Sequence, residues 1–178
     1  YNFEILFVSL CFMTQNKIPA NVKALLKQDF GLLINGVISA SASGETFQSF
    51  CPSDGSLLAS VPAAASQDVD AAVISAQAAF KGWAETSLVE RQKMLLEISR
   101  MMISVSDDLG ALDALDTGSL FSTMQYDAAW GGSVIEYMCG SANEVKGEVT
   151  QFDRNLHYTK RLPFGVAAKL LPFNRPIQ

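Results

Sequence analysis

A chain of 178 residues that is 49% hydrophobic and only 17% charged has the apolar content of a packed core, which excludes a disordered segment. Its net charge of −5 comes without any block of like charge, so there is no basic surface for a phosphate backbone, and nucleic acid is not an expected partner. Cys11, Cys51 and Cys139 are too few and too scattered for a disulfide framework, which points to a reducing compartment; the expected location is cytoplasmic, with mitochondrial left open.

The chain begins at Tyr1, and Ile5–Met13 is an apolar run too short to span a bilayer. Glu4 is the only charge before it, so the basic flank of a signal peptide is missing. Residues 1–30 form an N-terminal segment, for which one reading takes Met13 as the start and residues 1–12 as upstream sequence that is not native. A membrane is not an expected partner.

Leu32–Ile38 places Asn35-Gly36 between apolar flanks. Both central residues of a type I′ turn need positive φ, so a hairpin is predicted. A second pair follows, Thr46–Phe50 and Leu57–Val61, joined by Pro52-Ser53-Asp54-Gly55 and closed by Pro62. Three helices come next. The first starts after Ser66 as cap, with Asp68 and Asp70 at the positive end of its dipole, and carries the stripe Val69, Ala72, Val73, Ala76, Phe80, Trp83. The second opens on the capping box Ser87-Leu88-Val89-Glu90 and runs one apolar face from Leu95 through Ile98, Met102, Val105 and Leu109 to Leu112, ending near Gly118. The third carries Met124, Ala128, Gly131, Ile135, Met138, Ala142 and Val145 and ends at Gly147; Gly131-Gly132 lowers helix propensity and is explained by close packing on another backbone.

Leu156–Arg161 reads as an exposed or interface strand, and Gly165–Leu171 as a buried strand, apolar on both sides as in a parallel sheet. Pro172 ends it, which sets Phe173-Asn174-Arg175-Pro176 beyond its carboxyl end, where open α/β sheets bind ligands. One buried strand cannot satisfy its own edges, so the remaining strands are expected outside this chain.

The ordered motifs LLINGVIS, SGETF, CPSDGSLLASVPAA, DVDAAV, AAFKGW, RQKMLLEISRMM, LDTGS, EYMCGSANEVKGE and RLPFGVAAKLLPFNRP resemble the N-terminal region of the aldehyde dehydrogenase superfamily, from about Leu32 to Ile177. The resemblance implies an α/β fold in which β-hairpins and three helices lead into the first strand of a truncated, Rossmann-like parallel sheet. Residues 31–178 form the N-terminal part of that domain, and residues 150–163 begin its oligomerisation arm. It implies NAD(P)-dependent oxidation of an aldehyde to a carboxylic acid, with NAD or NADP as cofactor and a homo-oligomer, dimer or tetramer, as the full-length state. Residues 171–174 match the family's Pro-aromatic-Asn motif. Asn174 is thereby assigned the side-chain amide of the oxyanion hole, where a fixed N–H donor meets the charge that develops on the aldehyde oxygen. Leu171, Pro172 and Phe173 are assigned to the cofactor's path. The residues alone read otherwise: Asn174 as a turn Asn at a strand end, and Leu171–Phe173 as strand-end packing.

Some positions depart from the family pattern. Phe173 stands where Trp is common, Arg175 where an aromatic residue or His is usual, Gln178 where an apolar residue is usual, and Ser119 where Lys often follows LDTG. The family's mechanism also needs a Cys nucleophile and a Glu that activates water, both placed after the motif ending in Asn174. The 178-residue chain is therefore expected to be inactive alone. Cys139 reads as a structural thiol in a helix, Cys51 has no base near it in sequence, and His157 is a strand side chain. No zinc spacing is present, so no metal is expected. Met94, Met101, Met102 and Met138 read as core filler, and Asp107, Asp108, Asp113 and Asp116 as a solvated helix face. Two other readings stand beside the enzyme. One is a non-catalytic subunit docking on full-length partners through the third helix and the His157–Arg161 strand. The other is part of an acylating semialdehyde dehydrogenase. The aldehyde, and NAD against NADP, are not legible.

Overall fold

The computed structural model describes residues 18–177. The apolar run Ile5–Met13, the alternative start at Met13, Cys11 and Gln178 lie outside the described residues. A short helix α1 (Ala20–Leu25) precedes two antiparallel hairpins, β1 (Leu32–Ile34) with β2 (Val37–Ser39), and β3 (Thr46–Phe50) with β4 (Leu57–Pro62). Four longer helices follow among the described residues: α2 (Ser66–Glu85), α3 (Leu88–Ser104), α4 (Ser106–Thr117) and α5 (Phe121–Ser141). A 3-10 turn (Ala142–Glu144) leads to a third hairpin, β5 (Val149–Phe152) with β6 (Asn155–Tyr158).

The turn chemistry holds where local sterics decide. Asn35 and Gly36 both take positive φ, 53° and 74°, and pair Ile34 with Val37 as a type I′ turn requires. Gly118 takes φ 74° just past α4, the left-handed C′ position that its lack of a Cβ permits. Ser87 and Glu90 close the capping box of α3: Ser87 Oγ accepts from Glu90 N at 3.2 Å, and Glu90 Oε2 accepts from Ser87 N at 3.2 Å. The start of α2 differs from expectation, because its N-cap is Ala65, which has no capping side chain, and Ser66 is already helical. Asp68 does the work instead. Its carboxylate accepts from Ala65 N at 2.8 Å, Ala42 N at 3.0 Å and Ser41 Oγ at 3.0 Å, so one side chain closes the helix end and ties it to the loop before β3. The Ala65 N–H, helped by Ala42 and Ser41, holds this carboxyl below the usual range.

The single second helix of the sequence reading is two. Val105 leaves the helical region at φ −113°, ψ 19°, and Ser104 Oγ bonds Met101 O at 2.8 Å, so the apolar face drawn from Leu95 to Leu112 is divided between α3 and α4. Asp107 and Asp108 then sit in the first turn of α4, where the dipole favours carboxylates. The third predicted helix is α5, ending in the 3-10 turn before Gly147.

α5 packs against both α3 and α4. Gly132 shows why glycine stands there: a Cβ would lie 2.9 Å from Ser99 O and 2.7 Å from Ile103 Cγ1, and Gly132 O accepts from the buried Ser99 Oγ at 2.7 Å. Gly110 of α4 meets the backbone of Gln125 in the same way. A second small core joins α1, the β3–β4 hairpin and α4 through Val22, Cys51, Ala111 and Leu115.

Three expectations of burial are corrected. The stripe on α2 forms at helical spacing but Val69, Val73 and Trp83 remain 41% to 55% exposed, because among the described residues no helix packs closely along it; Met94, Met101 and Met138, read as core filler, are exposed too. Gly165–Leu171 is not a strand. It is irregular, with Phe164 and Leu170 almost fully exposed, since no neighbouring strand among the described residues is there to pair its backbone. The three sheets present are two-stranded and antiparallel, so the parallel sheet has no strand among the described residues. No described helix is long and apolar enough to cross a membrane.

Gly132→Ala should lower stability by about 1–3 kcal/mol, the cost of overpacking a filled contact. Gly140→Ala, on the same helix with nothing within 4 Å of its would-be Cβ, should be neutral or gain up to about 0.5–1 kcal/mol. Urea unfolding of the two variants distinguishes a close helix contact from a general intolerance of side chains on α5.

Candidate functional site

Leu171, Pro172, Phe173 and Asn174 lie together on an exposed turn. Arg175 N donates to Pro172 O at 3.4 Å, and Phe173 and Asn174 form the bend between them. The Phe173 side chain is 88% exposed and Leu171 55% exposed, so strand-end packing, the alternative reading of these residues, is not what the structure shows. Asn174 is likewise exposed.

The turn is not free of the helices. Arg175 Nη1 lies 3.3 Å from Asp127 Oδ1, and the Asp127 side chain is only 2% exposed while Arg175 is 47% exposed. Two residues later the Ile177 carbonyl lies over Gly131, where a Cβ would approach it to 3.4 Å. Asp127 and Gly131 are four apart on α5 and share a face. The departure Arg175, placed by sequence beside the proposed oxyanion donor, is therefore the residue that joins this turn to the helical bundle.

Sequence reasoning missed Asp127 altogether and misplaced Asp113. The four aspartates of α4 were expected to be solvated; Asp107 and Asp116 are exposed, but Asp113 is buried. Burial, reinforced by the charges of Asp116 and Asp127, raises the Asp113 carboxyl from 3.8 to about 6. Asp113 Oδ2 and Asp127 Oδ2 are both buried with no hydrogen-bond partner among the described residues. A usable signal existed: Asp127 falls between Met124 and Ala128, three and one residues away, on the apolar face of its helix.

The remaining candidates behave as structural groups. Cys51 and Cys139 are free thiols, 4% and 5% exposed, and Cys139 O accepts from Gln92 Nε2 at 2.6 Å. His157 is an exposed β6 residue whose ring meets Phe152 edge-on at 6.4 Å. No cluster of His, Cys, Asp and Glu suited to a metal occurs among the described residues.

Residues 38–178 match the family model described as aldehyde dehydrogenase family. Among solved structures, an aldehyde dehydrogenase from Bacillus cereus is 28% identical with a TM-score of 0.84, over 90% of this chain and 33% of its own. An indole-3-acetaldehyde dehydrogenase in apo form is 28% identical with a TM-score of 0.82, over 93% of this chain and 39% of its own. The protein PnpE, solved in complex with nicotinamide adenine dinucleotide, is 30% identical with a TM-score of 0.68, over 74% of this chain and 27% of its own. The chain thus spans about a third of the length of the solved structures it resembles.

The Asp113 carboxyl sets a pH dependence whose sign is fixed by its cause. A folded-state value raised above the unfolded one means the folded protein binds this proton more tightly, so stability falls as pH rises from about 4 to about 6. Asp113→Asn should raise stability at neutral pH and flatten the change in Tm across that window. Thermal unfolding followed as a function of pH checks both.

Proposed function

Because the chain belongs to the aldehyde dehydrogenase family, we propose that it supplies the oxyanion-stabilising turn and part of the cofactor wall of an enzyme that oxidises an aldehyde to a carboxylic acid with NAD or NADP. The observation that carries this reading is the exposed, hydrogen-bonded turn at 172–175: it presents Asn174 to solvent at the end of a segment that the family match covers without a break. Attack on an aldehyde turns its carbonyl oxygen into an oxyanion. The Asn174 Nδ2–H group donates to that oxygen and favours the charged form where it develops. Leu171, Pro172 and Phe173 offer an apolar surface and one exposed ring, which fits a single wall of a dinucleotide site and leaves phosphate recognition to other residues. When bound, the nicotinamide accepts the hydride from the substrate carbon.

The described thiols do not fit the nucleophile, since both are buried in helix or hairpin packing. On this reading the nucleophilic Cys and the general-base Glu come from outside the 178 residues. The domain then runs from 31 to 178, with the β5–β6 hairpin in the oligomerisation arm at 150–163. Val149, Phe152, Leu156 and Tyr158 on that hairpin are 67% to 75% exposed, which supports an interface with further subunits in a dimer or tetramer. The same exposed hairpin favours the second reading, a non-catalytic subunit that docks on full-length partners. The sparse, scattered cysteines fit a reducing location, cytoplasmic or mitochondrial.

In the full-length enzyme, Asn174→Ala should lower kcat by about 10²–10³, the cost of one oxyanion donor, and Asn174→Asp by at least as much because a carboxylate repels the charge. Steady-state kinetics with an aldehyde series reads this out, and an unchanged kcat would remove Asn174 from the reaction. The purified 178-residue chain should give no aldehyde-dependent NADH, and measurable turnover would place the nucleophile within it.

A further inference from the structure

Among the described residues, no strand immediately precedes the turn that presents Asn174, and Phe173 on it is 88% exposed. Leu162, Phe164 and Leu170 are 72%, 104% and 96% exposed, so packing of the preceding segment does not set the orientation of this amide. What does hold the turn lies on its other side, on helix α5. Arg175 follows Asn174 directly, and its guanidinium reaches Asp127, whose carboxylate is buried on the helix face that also takes the Ile177 carbonyl at Gly131.

A carboxylate this buried is costly unless a cation and its hydrogen bonds compensate it. Asp113, close enough to Asp127 for the two charges to act on each other, adds to the demand for a positive group at this place. Arginine suits the position better than lysine, because its planar fork fixes direction as well as charge. An ion pair anchored in a rigid helix at one end and bonded to the residue after Asn174 at the other restricts where the Asn174 backbone can sit.

We propose that Asp127 is a positioning residue, which through Arg175 fixes the turn carrying Asn174 against helix α5. The proposal rests on the reading of Asn174 as the oxyanion donor, and it adds a second requirement to that reading: the donor's aim depends on a buried carboxylate that touches no reacting atom. Misplacement of a catalytic group by about 1 Å costs up to about a hundredfold in rate. Loss of the pair therefore acts on kcat far more than on KM.

The test uses the full-length enzyme. Asp127→Asn and Arg175→Met should each lower kcat between roughly tenfold and a hundredfold. KM for aldehyde and for NAD should change much less. Arg175→Lys should recover part of the loss. The double variant Asp127→Asn/Arg175→Met should be no worse than Arg175→Met alone, because both changes remove the same contact. Amide exchange over residues 170–177 should speed up in Asp127→Asn, a readout that does not depend on turnover. Arg175→Met alters a half-exposed residue and keeps the test decisive if Asp127→Asn fails to fold. Multiplying losses in the double variant would overturn the proposal. So would an unchanged kcat in Arg175→Met while Asn174→Ala still collapses activity, and that outcome leaves the oxyanion reading standing. An Asn174→Ala enzyme of normal kcat would overturn both.

Discussion

The contact between Ser99 and Gly132 is the constraint from which the rest of the arrangement follows. Ser99 Oγ donates to Gly132 O at 2.7 Å in a site where any Cβ on residue 132 would strike the α3 backbone and Ile103. That approach brings α3 against the middle of α5, and the Gly110–Gln125 contact brings α4 against the N-terminal part of the same helix. α5 thereby becomes the element with neighbours on two sides. Its Met124, Asp127 and Ala128 are buried, and the turn bearing Asn174 is docked on a face built from the same stretch, Asp127 and Gly131. The glycines that weaken the helix locally are what allow it to serve as the platform.

The apolar surface left open is as informative as the surface closed. One face of α2, both strands of the last hairpin and the run from Leu162 to Phe173 carry large hydrophobic side chains in contact with solvent. Exposed surface of this extent is unusual for a self-sufficient domain, whereas scattered exposed apolar residues are ordinary. In a chain that spans about a third of the solved relatives, these faces are the ones at which further sheet, helix and subunit packing has room to occur. Their helices and hairpins form nonetheless, because backbone hydrogen bonds within each element are satisfied without any covering neighbour.

Buried charge organises the remaining part of the site. Asp68, Asp113 and Asp127 are all largely removed from water, but their surroundings differ. Asp68 accepts several N–H and O–H donors and its carboxyl is held low, so its burial serves a helix start. Asp113 has burial and neighbouring aspartates acting together, and its carboxyl rises. Asp127 meets the guanidinium of Arg175, on the turn that carries Asn174. Three residues of one type are driven to three roles by the partners that folding brings to them.

Elements whose stability is local were legible in the residues themselves. Asn35-Gly36 specified a hairpin because positive φ is a property of those two residues, Ser87 with Glu90 specified a helix start because both halves of the cap lie within one turn, and Gly118 specified a helix end. The Gly131-Gly132 pair announced a close backbone approach, and the motif around Asn174 announced its family and its proposed chemistry. Only the folded chain decided that the helical face from Leu95 breaks at Val105, that Asp113 and Asp127 are buried, and that Arg175 reaches α5. It also decided that Gly165–Leu171 is not a strand, although its apolar pattern reads as one. One physical reason covers the buried aspartates, the Arg175 contact and the strand that does not form. A turn or a cap is satisfied by atoms a few residues away, while a strand needs a neighbour's backbone and a buried charge needs a partner that only tertiary packing can supply.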